Sequence, residues 1–340
     1  MQRRSFGRAV LAVVAGLVLA SCSGGTATSG NQSAGQAPPA QADGGRTFPV
    51  KVTHKYGTTE VRKADKIVTL GLSDHEIVLA LGAKPVGVVD WFKERPFGKF
   101  PWQKAKWGDT EPQIVGERDD YNMERIIALQ PDLIIAQYSG MKKEQYDALS
   151  RLFPVVAQPV GYADYAAPWQ EMTRVVGRAM AKSDQAEALI KGIDDRYAAV
   201  RERNPKFGQK TIVVGDSFQP GAYAAFAAHD PKAGFMVELG FKTPPRIAAA
   251  PKEQNVVEVG SEGLGLFEAD VAVWLTSSED AVRRTQSDPL YRKLKVATEG
   301  RDLFIPYETP PIGAALSFGT VLSIPYAIDN AVPLLAKAVK

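Results

Sequence analysis

The chain has 340 residues, 45% of them hydrophobic, a single cysteine and a formal charge of +3. That length and apolar content allow two separately cored lobes, and one cysteine excludes a disulfide framework or a cysteine metal cluster. Arg3, Arg4 and Arg8 account for the whole charge excess, so residues 22–340 are formally neutral, which argues against nucleic acid or an anionic membrane surface as an electrostatic partner.

Residues 1–21 read as a secretory signal peptide: the three arginines, then an apolar run from Ala9 to Ala20, then small residues. The run is short of the ~20 residues that a membrane helix needs. Leu19-Ala20-Ser21-Cys22 resembles a bacterial lipobox, with Cys22 as the acylated residue and new N-terminus. The folded part is then expected outside the cytoplasm, anchored to the cell membrane by its lipid. Residues 22–46 are small and polar with almost no large apolar side chain, the composition of a flexible tether.

Regular patterning begins near residue 48. Val50–His54 and Thr58–Arg62 alternate across Tyr56-Gly57 and predict a β-hairpin. Lys66–Gly71 is a short apolar strand. Ser73 and Glu76 form the pattern of a capping box before a helix through Leu81, closed by Gly82. Pro85–Trp91 is the next strand. Asn122 caps a helix Met123–Leu129, which Pro131 ends before strand Asp132–Tyr138. A helix near Lys142–Arg151 leads to strand Pro154–Gln158. Two helices follow without a strand between them, about 166–181 and about 184–203. In the second, Ala186, Leu189, Ile190, Ile193, Tyr197 and Val200 recur at helical spacing, and twenty residues span ~30 Å. Strands Thr211–Asp216 and Ala222–Phe226, helix Pro231–Leu239, strand Asp270–Leu275, helices around Ser278–Thr285 and Pro289–Ala297, strand Leu303–Tyr307 and a helix from about Ala314 repeat the plan. The fold class is therefore α/β, with two lobes built on mainly parallel sheets and joined by one long helix. The boundaries are 47–165 for the N-terminal lobe, 166–204 for the linking helices and 205–340 for the C-terminal lobe.

Catalytic constellations are missing, and the chain reads as a binder rather than an enzyme. His54, His75 and His229 share no helical face and are expected in surface or capping roles. Gly260–Gly265 has its glycines at the wrong offsets for a dinucleotide loop, and Gly215–Gln219 lacks the second glycine of a nucleophile elbow; both are expected to be turns beside strands. No intrinsic cofactor or metal is signalled.

Ligands of open α/β sheets bind beyond the carboxyl ends of the strands. At those ends stand Trp91 and Phe92, Tyr138, Phe218 and Tyr223, with Trp102, Trp107 and Arg118 in the loop before Asn122. Flat rings and a few cations suit a bulky, polarisable or anionic ligand. Trp274 belongs to the core. Arg283 and Arg284 end a helix in the second half, where arginine can grip several oxygens of a chelate.

Lys66–Leu70 ahead of Glu76–Gly82, Asn122–Ile126 running into Ala128-Leu129-Gln130-Pro131-Asp132-Leu133-Ile134-Ile135, Asp288-Pro289-Leu290 and Leu322–Asp329 together resemble one family over about residues 48–338. It is the class of periplasmic substrate-binding proteins with a single helical strut, the iron-siderophore, haem and cobalamin binders of ABC importers, and the pattern is most similar to actinobacterial lipoproteins. The resemblance implies a monomeric carrier that hands a ferric siderophore, of the hydroxamate type, to a permease. Haem or a corrin is the competing ligand, with Tyr138 or His229 as iron ligand, and an adhesive surface lipoprotein is the distant alternative. It implies that Arg118 touches the chelate oxygens and that Tyr138 lines the pocket. It also implies that the loop Glu308–Phe318 covers the ligand, and, because Pro310-Pro311 stand where some relatives carry tryptophan, that Phe218, Tyr223 or Phe318 supplies the C-lobe aromatic contact instead. Finally, it implies that Glu124 and Glu262 dock one lobe each onto the permease. The site residues implied in all are Trp91, Phe92, Trp107, Arg118, Tyr138, Phe218, Tyr223, Arg284 and Phe318 for the ligand, Glu124 and Glu262 for docking, and Cys22 for the lipid.

Overall fold

The computed structural model describes residues 47–91, 100–251 and 254–339. Cys22, the expected signal peptide and tether, Phe92 and the side chain of Phe218 lie outside the described part.

The first half contains β1 (Val50–His54), β2 (Gly57–Val61), β3 (Ile67–Thr69), α1 (Asp74–Ala80), β4 (Gly87–Val88), α2 (Pro101–Trp107), β5 (Gln113–Ile114), β6 (Gly116–Glu117), β7 (Asp120–Tyr121), α3 (Met123–Leu129), β8 (Leu133–Ala136), α4 (Lys143–Ser150) and β9 (Val155–Ala157). Strands β5-β4-β3-β8-β9 form a five-stranded sheet, parallel throughout. Parallel strands covered on both faces read as unbroken apolar runs. Accordingly Ile67, Leu133, Ile135 and Val156 enter one core, and Val68, Ile134 and Val155 enter the other. Asn122 caps α3 by accepting from the Arg125 amide at 2.9 Å, and Gln130 ends it in the left-handed conformation just before Pro131.

Next come α5 (Trp169–Ala179) and α6 (Ser183–Arg203). Met172, Val175 and Val176 of α5 complete the N-lobe core, and Ala186 and Leu189 of α6 join them. Two turns further along, Ile193, Tyr197 and Val200 of the same helix pack into the C-lobe core.

The second half contains β10 (Ile212–Gln219), β11 (Ala222–Phe226), α7 (Pro231–Glu238), α8 (Pro245–Ala248), β12 (Val256–Gly260), β13 (Val271–Thr276), α9 (Glu279–Ser287), α10 (Lys295–Thr298), β14 (Asp302–Pro306), α11 (Ile312–Phe318) and α12 (Ser323–Ala338). Its sheet runs β12-β11-β10-β13-β14. Strands β10, β13 and β14 are parallel, whereas β10-β11 and β11-β12 are antiparallel. Only Pro220 and Gly221 separate β10 from β11, too short a link for a parallel crossover, and Gly221 supplies the positive φ of 72° that the tight turn requires.

Several expectations are corrected. Ser73 makes no capping bond; Glu76 is buried instead, accepting from Trp102 Nε1 at 2.6 Å and more closely from Gln103 Nε2 and Thr320 Oγ1. Gly215–Gln219 lies inside β10, not in a turn. Residues 261–267 form a 3-10 helix after β12, a strand that residue pattern alone did not announce. The expected C-terminal helix is two helices, because Gly319 ends α11 in the left-handed conformation. His54 and His75 are buried rather than at the surface, 1% and 5% exposed. Desolvation lowers both to about 4, so each is neutral at physiological pH.

The lobes meet away from α6 as well. Phe100 stacks on Trp102 at 4.9 Å, and Phe318 meets Phe100 edge-on at 5.4 Å. Glu76 of the N-lobe accepts from Thr320 of the C-lobe within the same contact.

Candidate functional site

One set of side chains gathers at the carboxyl ends of the N-lobe's parallel strands, and a second, on the C-lobe, lies near enough that the charge of Asp230 acts on Tyr138. The N-lobe wall begins with Trp91, just past β4. Arg118 heads the two-residue turn between β6 and β7 with φ 51°, a conformation uncommon outside glycine, and its guanidinium lies 5.5 Å from the Trp91 ring. Tyr138 follows β8. Its amide and that of Gln137 donate to the Asp74 carboxylate at 3.0 and 2.8 Å, and the Gly71 amide adds a third bond at 3.0 Å. Asp74 is fully buried, and desolvation pushes its carboxyl up to about 6 against the pull of these three donors. It therefore pins the start of α1 to the end of β8 and holds Tyr138 in place.

Tyr165 completes this wall. Its ring sits edge-on to Tyr138 at 5.2 Å and to Trp91 at 6.1 Å, and its hydroxyl donates to the Ser139 carbonyl at 3.2 Å. Gly140, at φ 57°, leaves room for that ring: a Cβ there would stand 2.2 Å from the Tyr165 oxygen.

The C-lobe wall is charged. Asp230 caps α7 by accepting from the Lys232 amide at 3.0 Å and pairs with the Lys232 ammonium at 2.9 Å, and that ammonium rests 4.2 Å from the Phe226 ring. Asp216 on β10 is pushed up to about 6 by burial, while Lys232 and Arg284 pull the other way. Arg284, on α9, reaches the Ser217 carbonyl at 3.5 Å, and its Nε is buried with no partner among the described residues. The walls sense each other: burial raises Tyr138 well above the ordinary tyrosine value, and the charge of Asp230 raises it further.

The structure thus brings together Trp91, Arg118 and Tyr138 in one wall and sets Arg284 in the other. It does not bring Trp107, Tyr223 or Phe318 to them. Trp107 is 1% exposed, packed with Leu79 and Val88. Tyr223 stands beside the carboxyl end of β10, where Ala222 pairs with Gln219, but its ring lies in the core on the far face of the C-lobe sheet and its hydroxyl donates to Asp288 at 2.8 Å. Phe318 is 1% exposed, enclosed by Phe100, Trp102 and Ala314. Trp274 is in the core, donating to the Tyr291 hydroxyl at 2.9 Å. Sequence reasoning missed Tyr165 and Lys232. No pattern marks Tyr165, which occupies an irregular segment at φ 63°, whereas Asp230-Pro231 does mark the helix start that positions Lys232.

His229 lies at a separate cavity of about 210 Å³ beside α6, where its Nε2 sits 3.0 Å from Asn255 Oδ1. Glu124 and Glu262 are exposed, each in the first turn of its helix. Among the described residues no three His, Cys, Asp or Glu side chains converge as a metal site.

Comparison with known proteins adds the following. The periplasmic binding protein family model matches residues 67–301. The probable siderophore-binding lipoprotein YfiY of Bacillus subtilis (strain 168) is 27% identical over 263 residues, 73% of this chain and 78% of that protein. A periplasmic solute binding protein from Mycobacterium smegmatis superposes with a TM-score of 0.76 at 28% identity, covering 86% of this chain and 99% of that one. PiaA of Streptococcus pneumoniae, solved in complex with ferrichrome, superposes with a TM-score of 0.72 at 26% identity, covering 85% of this chain and 98% of that one.

Proposed function

The chain belongs to the periplasmic binding protein family, and from that premise we propose that it captures a ferric siderophore outside the cytoplasm and delivers it to the permease of an ABC importer. The observation that carries this reading is the cluster Trp91–Arg118–Tyr138–Tyr165 in one lobe, with Lys232 and Arg284 as the cations of the other. Rings of this kind pack against a bulky chelate, and guanidinium groups donate to its oxygens. The siderophore brings its iron already ligated, so the protein needs no metal ligands of its own. The name of YfiY and the ferrichrome held by PiaA support the ligand class, and the latter favours the hydroxamate type.

Capture is binding without bond making. Asp74 and Gly140 preorganise the aromatic wall, which lowers the ordering cost of association. Cys22 carries the lipid, residues 23–46 give the folded part its reach, and Glu124 and Glu262 present one carboxylate per lobe to the permease.

The test is tryptophan fluorescence with ferrichrome, a ferric catecholate and haem. Trp91 is the expected reporter, so ferrichrome should quench the parent and quench a Trp91→Phe variant much less. Quenching by haem alone, with a shifted Soret band, would replace the ligand; silence towards all three would favour an adhesive role.

A further inference from the structure

Helix α3 has an inner and an outer side. Ile126 is buried in the N-lobe core, whereas Glu124, Ile127 and Ala128, at helical spacing on the outer side, are all exposed. An outward helix face is expected to be polar, yet Ile127 is 45% exposed. Glu124, one turn before it, has no ion pair among the described residues, and Arg125 donates to the Ile114 carbonyl at 3.0 Å. The C-lobe repeats this pairing by other means. Asp288 accepts from Ser261 Oγ at 2.7 Å with one carboxylate oxygen and from the Leu290 amide at 2.8 Å with the other. That single carboxylate brings Leu290, 41% exposed, beside the residue preceding Glu262, whose exposed side chain likewise has no ion pair among the described residues.

Both pairs stand at the same end of their own lobe's sheet. The Asn122 amide, at the start of α3, donates to the Val115 carbonyl just past β5, and the helix then runs back to the start of β8. Gly260, at the end of β12, pairs with Ala222, which pairs with Gln219 at the end of β10. Each lobe thus offers one carboxylate and one aliphatic side chain at the strand carboxyl ends, where ligands of such sheets bind. Single exposed apolar residues are ordinary; the same pair built twice on different elements is not.

We propose that Ile127 and Leu290 are the apolar anchors of a docking surface for the membrane-spanning permease, each entering an apolar socket beside the cation that meets its glutamate. The proposal rests on the docking reading of Glu124 and Glu262 and deepens it. Charge complementarity defines the occupant: an unpaired carboxylate takes a cation, and the neighbouring aliphatic group takes an apolar pocket. A second copy docking patch to patch would set carboxylate against carboxylate. Exposed carboxylates steer encounter and add little affinity, so the anchors set how long the complex lasts.

Cells that carry the full chain in place of their chromosomal copy report docking through the initial rate of radiolabelled ferrichrome uptake. Ile127→Ala/Leu290→Ala should cut that rate about tenfold while the isolated protein keeps its affinity for ferrichrome. Leu152→Ala, at a position 56% exposed but just before the amino end of β9, should leave the rate at the parental value. With p-benzoylphenylalanine in place of Ile127 or Leu290, irradiation of the cells should join the chain to a polytopic importer subunit, identified by mass spectrometry, and position 152 should give no such product. Parental uptake by the double alanine variant, an equal loss in Leu152→Ala, lost ferrichrome affinity, or no crosslink from positions 127 and 290 overturns the anchors. If Glu124→Lys/Glu262→Lys then still abolishes uptake, the docking reading stands without them; if that reversal also leaves uptake at the parental rate, the docking reading falls too.

Discussion

Gly140 and Tyr165 show how closely the N-lobe wall is fitted. Any side chain at Gly140 meets the Tyr165 ring, and the residue's φ of 57° already disfavours one. Gly140→Ala should therefore swing Tyr165 off Tyr138 and Trp91. We expect affinity for the ferric siderophore to fall about tenfold, and stability to fall by about 1–2 kcal/mol for an L-residue in the left-handed region. Parallel fluorescence and urea titrations measure both, and unchanged affinity would remove Tyr165 from the wall. At this scale the sequence was partly readable. Trp91, Arg118 and Tyr138 could be picked out because each follows or precedes a recognisable element. Tyr165 could not, because its place depends on contacts with residues 25 to 74 positions away. Trp107 and Phe318 are aromatic and loop-adjacent in the same way, yet they turn inwards, and nothing in a linear pattern distinguishes the two outcomes.

Glu76 belongs to the scale of elements, since it ties α1, α2 and the segment before α12 together through neutral donors only. Burial pushes its carboxyl from 4.5 up to about 7. The folded protein thus keeps the proton to about pH 7, while the unfolded chain releases it near 4.5. Its favourable contribution is complete below pH 4.5 and is lost as pH rises to 7, a change of about 3 kcal/mol. Glu76→Gln removes this titration and leaves the neighbouring His75 and Asp74 in both proteins. Urea unfolding should show the stability of the parent falling relative to the variant between pH 4.5 and 7, and parallel curves would refute a neutral buried Glu76. The elements themselves were legible where a cap and a breaker frame them, as Asn122 and Pro131 frame α3. The capping box at Ser73–Glu76 was misread because the spacing is identical whether the glutamate folds back on its helix or is claimed by another lobe. Strand β12 was missed because what makes it a strand is its pairing with β11.

At the scale of the whole molecule, Glu124 and Glu262 stand on different lobes, exposed at the first turns of their helices. Reversing both to lysine should abolish siderophore uptake by cells while leaving the dissociation constant of the isolated protein unchanged. Lost affinity would show that they serve the ligand site and not docking. The two-lobed plan was readable from strand–helix alternation, and the mixed C-lobe sheet was not, because a tight link such as Pro220-Gly221 overrides the parallel habit of the elements around it.

Helix α6 carries a consequence for how the protein comes apart. Ala186 and Leu189 sit in one core, and Ile193, Tyr197 and Val200 sit in the other, on a single run of backbone hydrogen bonds. Neither half can melt without fraying a rod against which the other half packs. The pair therefore behaves as one cooperative folding unit, and slow hydrogen exchange should be concentrated in the middle of α6.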